Sequence, residues 1–332
     1  MTDPPGTELA LVPSASVQYA THLAQVDAEL ERAATAPATV AAYARQWALF
    51  EDWCTQTGAI MLPAEATTLR GYLAHLATEG ASLSSAEQAL AAIRWHHIKA
   101  GVPSHTSDRM LRQRLKGYQR IRRGERPAQM PPLLADNLQR IVSVMRDGDE
   151  TYKLRLKDAR DKAIILLGYA GAFRRSELAR IEVEHLTFAP GGVDIYVPWS
   201  KTDQEGQGRT KCINFGANIP TCPVTALRQW LDLAGIHAGR AFRPVNRWGS
   251  VQGDGLTPQV IRTVVRDRAV AVGLQGFAAH SLRSGFATEA ARNGVPRAQI
   301  KEDGGWGRGD AVDAYLRSSQ DRDKRASGFL GL

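Results

Sequence analysis

The stretch Arg122–Pro132, RRGERPAQMPP, packs one glycine and three prolines into eleven residues. A proline removes a backbone donor and fixes φ near −65°, so neither a helix nor a central strand runs through such a segment. The segment is read as a linker over residues 122–132. At 332 residues the chain is long enough for two cores. The expected plan is a Pro- and Ser-rich mobile N-terminus (1–15), a helical domain (16–121), the linker, and a second domain (133–332).

Apolar spacing assigns the first domain. Val40, Tyr43, Trp47, Phe50 and Cys54 share one helical face until Gly58. Leu69, Tyr72, Leu73 and Leu76 mark a second helix ending at Gly80. A third starts near Ser84 or Ser85, buries Leu90 and Ile93, and ends at Gly101. A fourth runs from about Ser107 with Met110, Leu111, Leu115, Tyr118 and Ile121 inside. Four short helices with brief loops predict one small all-α unit.

Beyond the linker, helices are predicted around Leu138, Ile141, Val142 and Met145, and around Ala163, Ile164 and Leu167. Strand signals follow at Leu186–Phe188, Val193–Val197 and Cys212–Phe215, with a turn at Pro190-Gly191-Gly192 and a polar loop from Ser200 to Thr210. Helices return at Pro223–Ala234, Pro258–Val272, Ser281–Arg292, Pro296–Asp303 and Asp310–Arg317, with Thr257 as an N-cap ahead of Pro258. The class is mainly α, with a small antiparallel sheet in the second domain.

The formal net charge is +8 and the pI about 9.6, which favours a polyanionic partner. The third and fourth helices and the linker start carry Arg94, Lys99, Arg109, Arg112, Arg114, Lys116, Arg120, Arg122 and Arg123, against only Asp108 and Glu125 between positions 91 and 125. Charge of one sign gains little from intrahelical pairing, so phosphate binding explains it better than a solvated face. Three widely spaced cysteines, Cys54, Cys212 and Cys222, make neither a disulfide framework nor a zinc site. No secretory signal follows Met1, and the longest apolar run, Ala163–Phe173, is too short to cross a bilayer. A cytoplasmic protein without membrane contact is expected.

The chemistry is concentrated late in the chain. His280-Ser281-Leu282-Arg283 is followed by Gly304-Gly305-Trp306, and Tyr315 stands nine positions after the tryptophan. Upstream lie Arg174-Arg175-Ser176-Glu177 and the hairpin lysine of Ser200-Lys201-Thr202. Glu177 falls at i+3 from Arg174 and can hold that guanidinium, and His280 and Arg283 share a helical face. Taken singly, each is an ordinary surface or packing residue. Taken together they suit attack on a phosphodiester, whose transition state gathers negative charge on its non-bridging oxygens. Fixed donors aimed there are worth about 10²–10³ in rate each. Arginine reaches two oxygens with one planar fork, and tyrosine, with an ordinary pKa of about 10, needs a cationic setting to act as nucleophile.

In order and spacing this set resembles the active site of the tyrosine recombinases, the phage integrase family. It is most similar to the Cre type, through the tryptophan at 306, Trp53-Cys54 and Leu62-Pro63-Ala64-Glu65. The resemblance spans roughly residues 20–332. It implies a helical, SAM-like core-binding domain and a mixed α/β catalytic domain. It implies that Tyr315 attacks the scissile phosphate to give a 3′-phosphotyrosyl link, that Arg174 and Arg283 clamp the phosphate, and that Lys201 protonates the leaving 5′ oxygen. His280 would assist proton transfer, Trp306 would donate its indole N–H, and Glu177 would orient the site. No metal or other cofactor is expected. The partner would be double-stranded DNA with paired half-sites, bound by a homo-oligomer (a dimer per site, a tetramer in synapsis). Phe329, Leu330 and Leu332 in the tail would dock on a neighbouring protomer. Two other readings are a type IB topoisomerase-like relaxing enzyme and a DNA-binding protein without catalysis. Arg308-Gly309-Asp310 reads only as a loop entering a helix.

Overall fold

The computed structural model describes residues 15–122, 130–145, 152–198, 207–307 and 312–313. The chain divides into two compact units, Met1–Ala128 and Gln129–Leu332.

The first unit holds five α-helices among its described residues: α1 (Ala15–Ala33), α2 (Pro37–Thr57), α3 (Ala66–Thr78), α4 (Leu83–Lys99) and α5 (Arg109–Ile121). Phe50, Leu69, Tyr72, Ile93 and Leu111 are fully buried, and Phe50 meets Tyr72 edge-on at 4.9 Å. Each boundary has a local cause. Gly58 takes the left-handed conformation (φ 69°) and its N–H returns to the Cys54 carbonyl, which closes α2. The Ser82 hydroxyl accepts the Ser85 N–H at 3.1 Å to open α4, and Asp108 accepts the Leu111 N–H at 2.9 Å to open α5.

Two expectations for this unit need correction. The first helix, α1, stands outside the expected set of four, and its Tyr19, Leu23, Val26 and Leu30 are exposed. Met110 and Ile121 do not lie inside but are 48% and 83% exposed. Only the face through Leu111, Leu115 and Tyr118 packs inward. Tyr118 anchors it by donating to the carbonyls of Leu76 and Ala81. Met110 lies one position off that face, and Ile121 lies beyond its last packed turn.

The second unit contains α6 (Ala135–Ser143), α7 (Tyr152–Ala170), α8 (Arg175–Leu178), β1 (Leu186–Ala189), β2 (Gly192–Val197), β3 (Arg209–Asn214), α9 (Pro223–Ala234), α10 (Pro258–Ala271), α11 (Ala279–Arg292) and α12 (Arg297–Gly304). α7 is the central element. Its run Ala163–Leu167 is buried and the helix packs on α9, α10 and α11. Arg268 of α10 pairs with Asp158 at 2.6 Å and Asp161 at 2.7 Å, which ties α10 to α7 with buried charge neutralised in place. Thr257 caps α10 through the Val260 N–H, as expected.

The sheet is antiparallel in the order β1-β2-β3, with Ile195 opposite Lys211 and Val197 opposite Arg209. β3 therefore starts at Arg209, not at Cys212, and takes in residues expected in the polar loop. Its inward positions are Lys211 and Ile213, alternating with exposed Thr210, Cys212 and Asn214. A lysine at an inward position disguises the period-2 signal, which is why composition assigned these residues to the loop. Of the expected helix Asp310–Arg317 only Val312 and Asp313 lie within the described residues, and both are helical. No described helix is long and apolar enough to cross a membrane.

Candidate active site

The central feature is a buried carboxylate with arginines on two sides. Arg174 is the N-cap of α8. Its backbone N–H donates to Glu177 Oε2 at 2.9 Å, and its Nη1 donates to Glu177 Oε1 at 3.0 Å. Arg209, entering from β3, donates Nη2 to the same Oε1 at 3.1 Å. Glu177 is 4% exposed, so these charge-assisted bonds replace its lost hydration and hold both forks in fixed planes. The neighbouring Arg175 is exposed.

Arg283 approaches from α11 and is equally buried. Its Nη1 donates to the carbonyls of Ala172 and Gly304, both at 2.5 Å, and its Nη2 to Gly305 at 3.3 Å. The Trp306 ring lies over the guanidinium carbon, 3.9 Å from the ring centroid, a cation–π stack. Arg174 Nη2 donates to the same Gly305 carbonyl at 3.3 Å, so one backbone oxygen joins the two arginines.

The two glycines are required sterically. A Cβ on Gly304 would overlap the Trp306 ring, and one on Gly305 (φ 63°) would overlap the Arg209 guanidinium. On the facing segment Ala172 adopts φ 47°, a strained left-handed conformation for a non-glycine residue, and its carbonyl accepts from Arg283.

Lys211 lies below this ring of donors. Its Nζ donates to Gly171 O at 2.5 Å and to Asp303 O at 2.6 Å, 5.0 Å from the centroid of the Phe173 ring. Burial first, and then the Arg209, Arg283 and Arg174 cations, push its pKa down to about 6, against the opposing pull of Glu177. His280 sits in the first turn of α11 and is exposed. Desolvation of its ring and the Arg283 charge hold its pKa below the ordinary imidazole range.

Of the seven expected catalytic residues, Arg174, Glu177, Arg283 and Trp306 meet in one cluster, and His280 lies one turn before Arg283. Lys201 and Tyr315 lie outside the described residues. Sequence reasoning missed Arg209 and Lys211, whose only signal was their alternation with Thr210 and Cys212. In the first unit Arg94, Lys99, Arg109, Arg112, Arg114, Lys116 and Arg120 are exposed. Arg122 is partly withdrawn, since it lies 5.8 Å from the Tyr118 ring centroid and donates to the Ala77 carbonyl. Arg123, the 308–310 tripeptide and the tail residues Phe329, Leu330 and Leu332 lie outside the described residues. Among the described residues no group of three His, Cys, Asp or Glu side chains is placed to hold a metal ion.

Residues 132–322 match the phage integrase family, and residues 25–98 match its N-terminal SAM-like domain. The chain belongs to the phage integrase family. It is a tyrosine-type site-specific DNA recombinase. It is 38% identical over 262 residues to the integrase/recombinase XerD homolog of Selenomonas ruminantium, covering 77% of this chain and 74% of that protein. It is 25% identical over 297 residues to the Cre recombinase of Escherichia phage P1, covering 82% and 81%. Its fold matches the XerH site-specific recombinase, solved on a palindromic difH substrate after cleavage, with a TM-score of 0.55 at 18% identity over 79% of this chain and 71% of that one. The mainly helical plan, with a SAM-like domain ahead of a catalytic domain bearing a three-stranded sheet, is the family's fold.

Proposed function

We propose that this recombinase cleaves one strand of duplex DNA with Tyr315, holds it as a 3′-phosphotyrosyl ester, and passes it to the 5′ hydroxyl of a partner duplex. The observation that carries this reading is the joining of Arg174 and Arg283 through the Gly305 carbonyl, with Glu177 and Trp306 fixing their planes. Two oriented guanidiniums suit the two non-bridging oxygens of a phosphodiester, and they are set in place before the reaction, so no reorganisation is needed as charge develops. His280, whose pKa is lowered, is assigned to assist proton transfer. Lys201 is assigned the proton delivered to the leaving oxygen. The ester conserves the energy of the phosphodiester, so rejoining needs no nucleotide triphosphate.

The oligomer proposed is a dimer on each site and a tetramer in synapsis, acting in the cytoplasm, with Phe329, Leu330 and Leu332 contacting a neighbouring protomer. The division into core-binding residues 16–121, linker 122–132 and catalytic residues 133–332 is part of the same proposal. The test is strand exchange between two labelled duplexes that carry the recognition site. Recombinant products of exchanged length are expected. Relaxation of supercoils without exchange would instead indicate the topoisomerase-like activity.

The basic residues of α4 and α5 are assigned to the DNA backbone. Removing the charge of Arg112, Arg114 or Lys116 should weaken binding to all sequences alike. It should also reduce the slope of log affinity against log salt by about one unit per lost contact. Gel shifts at several salt concentrations measure it, and Arg174 or Arg283 substitutions should leave the slope unchanged.

A further inference from the structure

Lys211 and Arg283 span the same two backbone segments as parallel rungs. On the segment leading to Arg174, Lys211 takes the carbonyl of Gly171 and Arg283 takes that of Ala172. On the segment leading to Trp306, Lys211 takes the carbonyl of Asp303 and Arg283 takes that of Gly304. Each side chain thus ties the same two adjacent residue pairs together across the site, and the lysine rung lies one residue N-terminal to the arginine rung on both.

We propose that Lys211 is a positioning residue of strand cleavage: its amine fixes the spacing of segments Gly171–Arg174 and Asp303–Trp306, and so the alignment of Arg174, Arg283 and Trp306 on the scissile phosphate. The chemistry of the side chain suits the task. Lys211 is 4% exposed and pairs with no carboxylate among the described residues, where Glu177 is engaged by Arg174 and Arg209. A neutral amine has two N–H bonds, which match the two carbonyls, and burial among Arg209, Arg283 and Arg174 favours that neutral form. An ordinary salt-bridging lysine would need a counter-ion at this position. Held by two backbone oxygens, the Lys211 amine is not directed at a leaving group, which separates its role from that assigned to Lys201.

Because this role presupposes the phosphate clamp, the experiment uses two scissile groups: a normal phosphodiester, and a methylphosphonate that replaces one charged non-bridging oxygen with a neutral methyl. Single-turnover cleavage is measured for the full-length wild type, Arg283→Ala, Lys211→Met and Lys211→Gln, alongside DNA binding and thermal melting. On the normal phosphodiester Lys211→Met should cleave about 10²-fold more slowly than wild type with unchanged binding, in the range found for a lost transition-state donor. Lys211→Gln, which keeps an amide donor on a shorter stem, should be intermediate. On the methylphosphonate the defects of both Lys211 variants and of Arg283→Ala should shrink together, because less charge has to be aligned.

If the Arg283→Ala defect shrinks while the Lys211 defects persist at full size, Lys211 is structural only and the proposal is overturned. Wild-type cleavage by both Lys211 variants overturns it as well. If Lys211→Met does not fold, Lys211→Gln decides by the same comparison. If the Arg283→Ala defect itself fails to shrink, the clamp reading falls, and the positioning role of Lys211 falls with it.

Discussion

Tyr315→Phe protein is expected to bind its DNA site with wild-type affinity and to yield no covalent protein–DNA adduct. The substitution keeps the ring and removes only the oxygen proposed to attack, so the loss should fall on chemistry and not on folding or binding. The structure gives reason to expect no substitute nucleophile. The Tyr169 hydroxyl is buried without a hydrogen-bond partner among the described residues, and desolvation, with Glu289 adding to it, raises its pKa, which disfavours the phenolate. Tyr196 stands on the outward face of β2, its ring against His185 at 6.0 Å. Trapping on a nicked duplex that loses its short leaving strand, followed by a denaturing gel, reads the result. Adduct should fall below detection.

The second large effect is expected at Arg283. Lysine there keeps the charge, but it cannot donate to Ala172, Gly304 and Gly305 together or stack its plane on Trp306. Arg283→Lys should therefore cleave about 10²–10³-fold more slowly than wild type while binding DNA equally well, since the proposed clamp would act mainly on the transition state. It should also melt earlier. Buried carbonyls left without donors cost about 1–3 kcal/mol each. Single-turnover cleavage, gel shift and melting on one preparation separate the three effects.

Where local chemistry and periodicity pointed the same way, the elements were legible from the sequence. The turn expected at Pro190-Gly191-Gly192, which forms at Pro190-Gly191 with Gly192 opening β2, the start of α9 at Pro223, the Thr257 cap and the buried run Ala163–Leu167 all stand where the residues place them. The Arg174–Glu177 pair was legible because i+3 spacing at a helix start leaves little freedom, and the bond forms at 3.0 Å. Three features were not. The described side chains of α1, residues 19–33, are exposed, so apolar periodicity had no core to point to. Met110 and Ile121 are apolar yet unburied, because the packed stripe of α5 is narrower than its apolar one. Arg209 and Lys211 belong to the site through strand pairing and backbone carbonyls distant in sequence, and composition alone places two cations in a loop. Carbonyl acceptors leave no mark on a sequence, since every residue carries one.

The central claim is that Tyr315 carries the DNA during exchange, with the Arg174–Glu177–Arg283–Trp306 cluster built around its target phosphate. The most direct test is to trap the wild-type adduct on a nicked duplex, digest protein and DNA to short remnants, and locate the nucleotide by mass spectrometry. The prediction is a 3′-phosphate ester on Tyr315 and a free 5′ hydroxyl on the released strand. A nucleotide on Tyr169, Tyr196 or a serine, or a 5′-linked adduct, would contradict it.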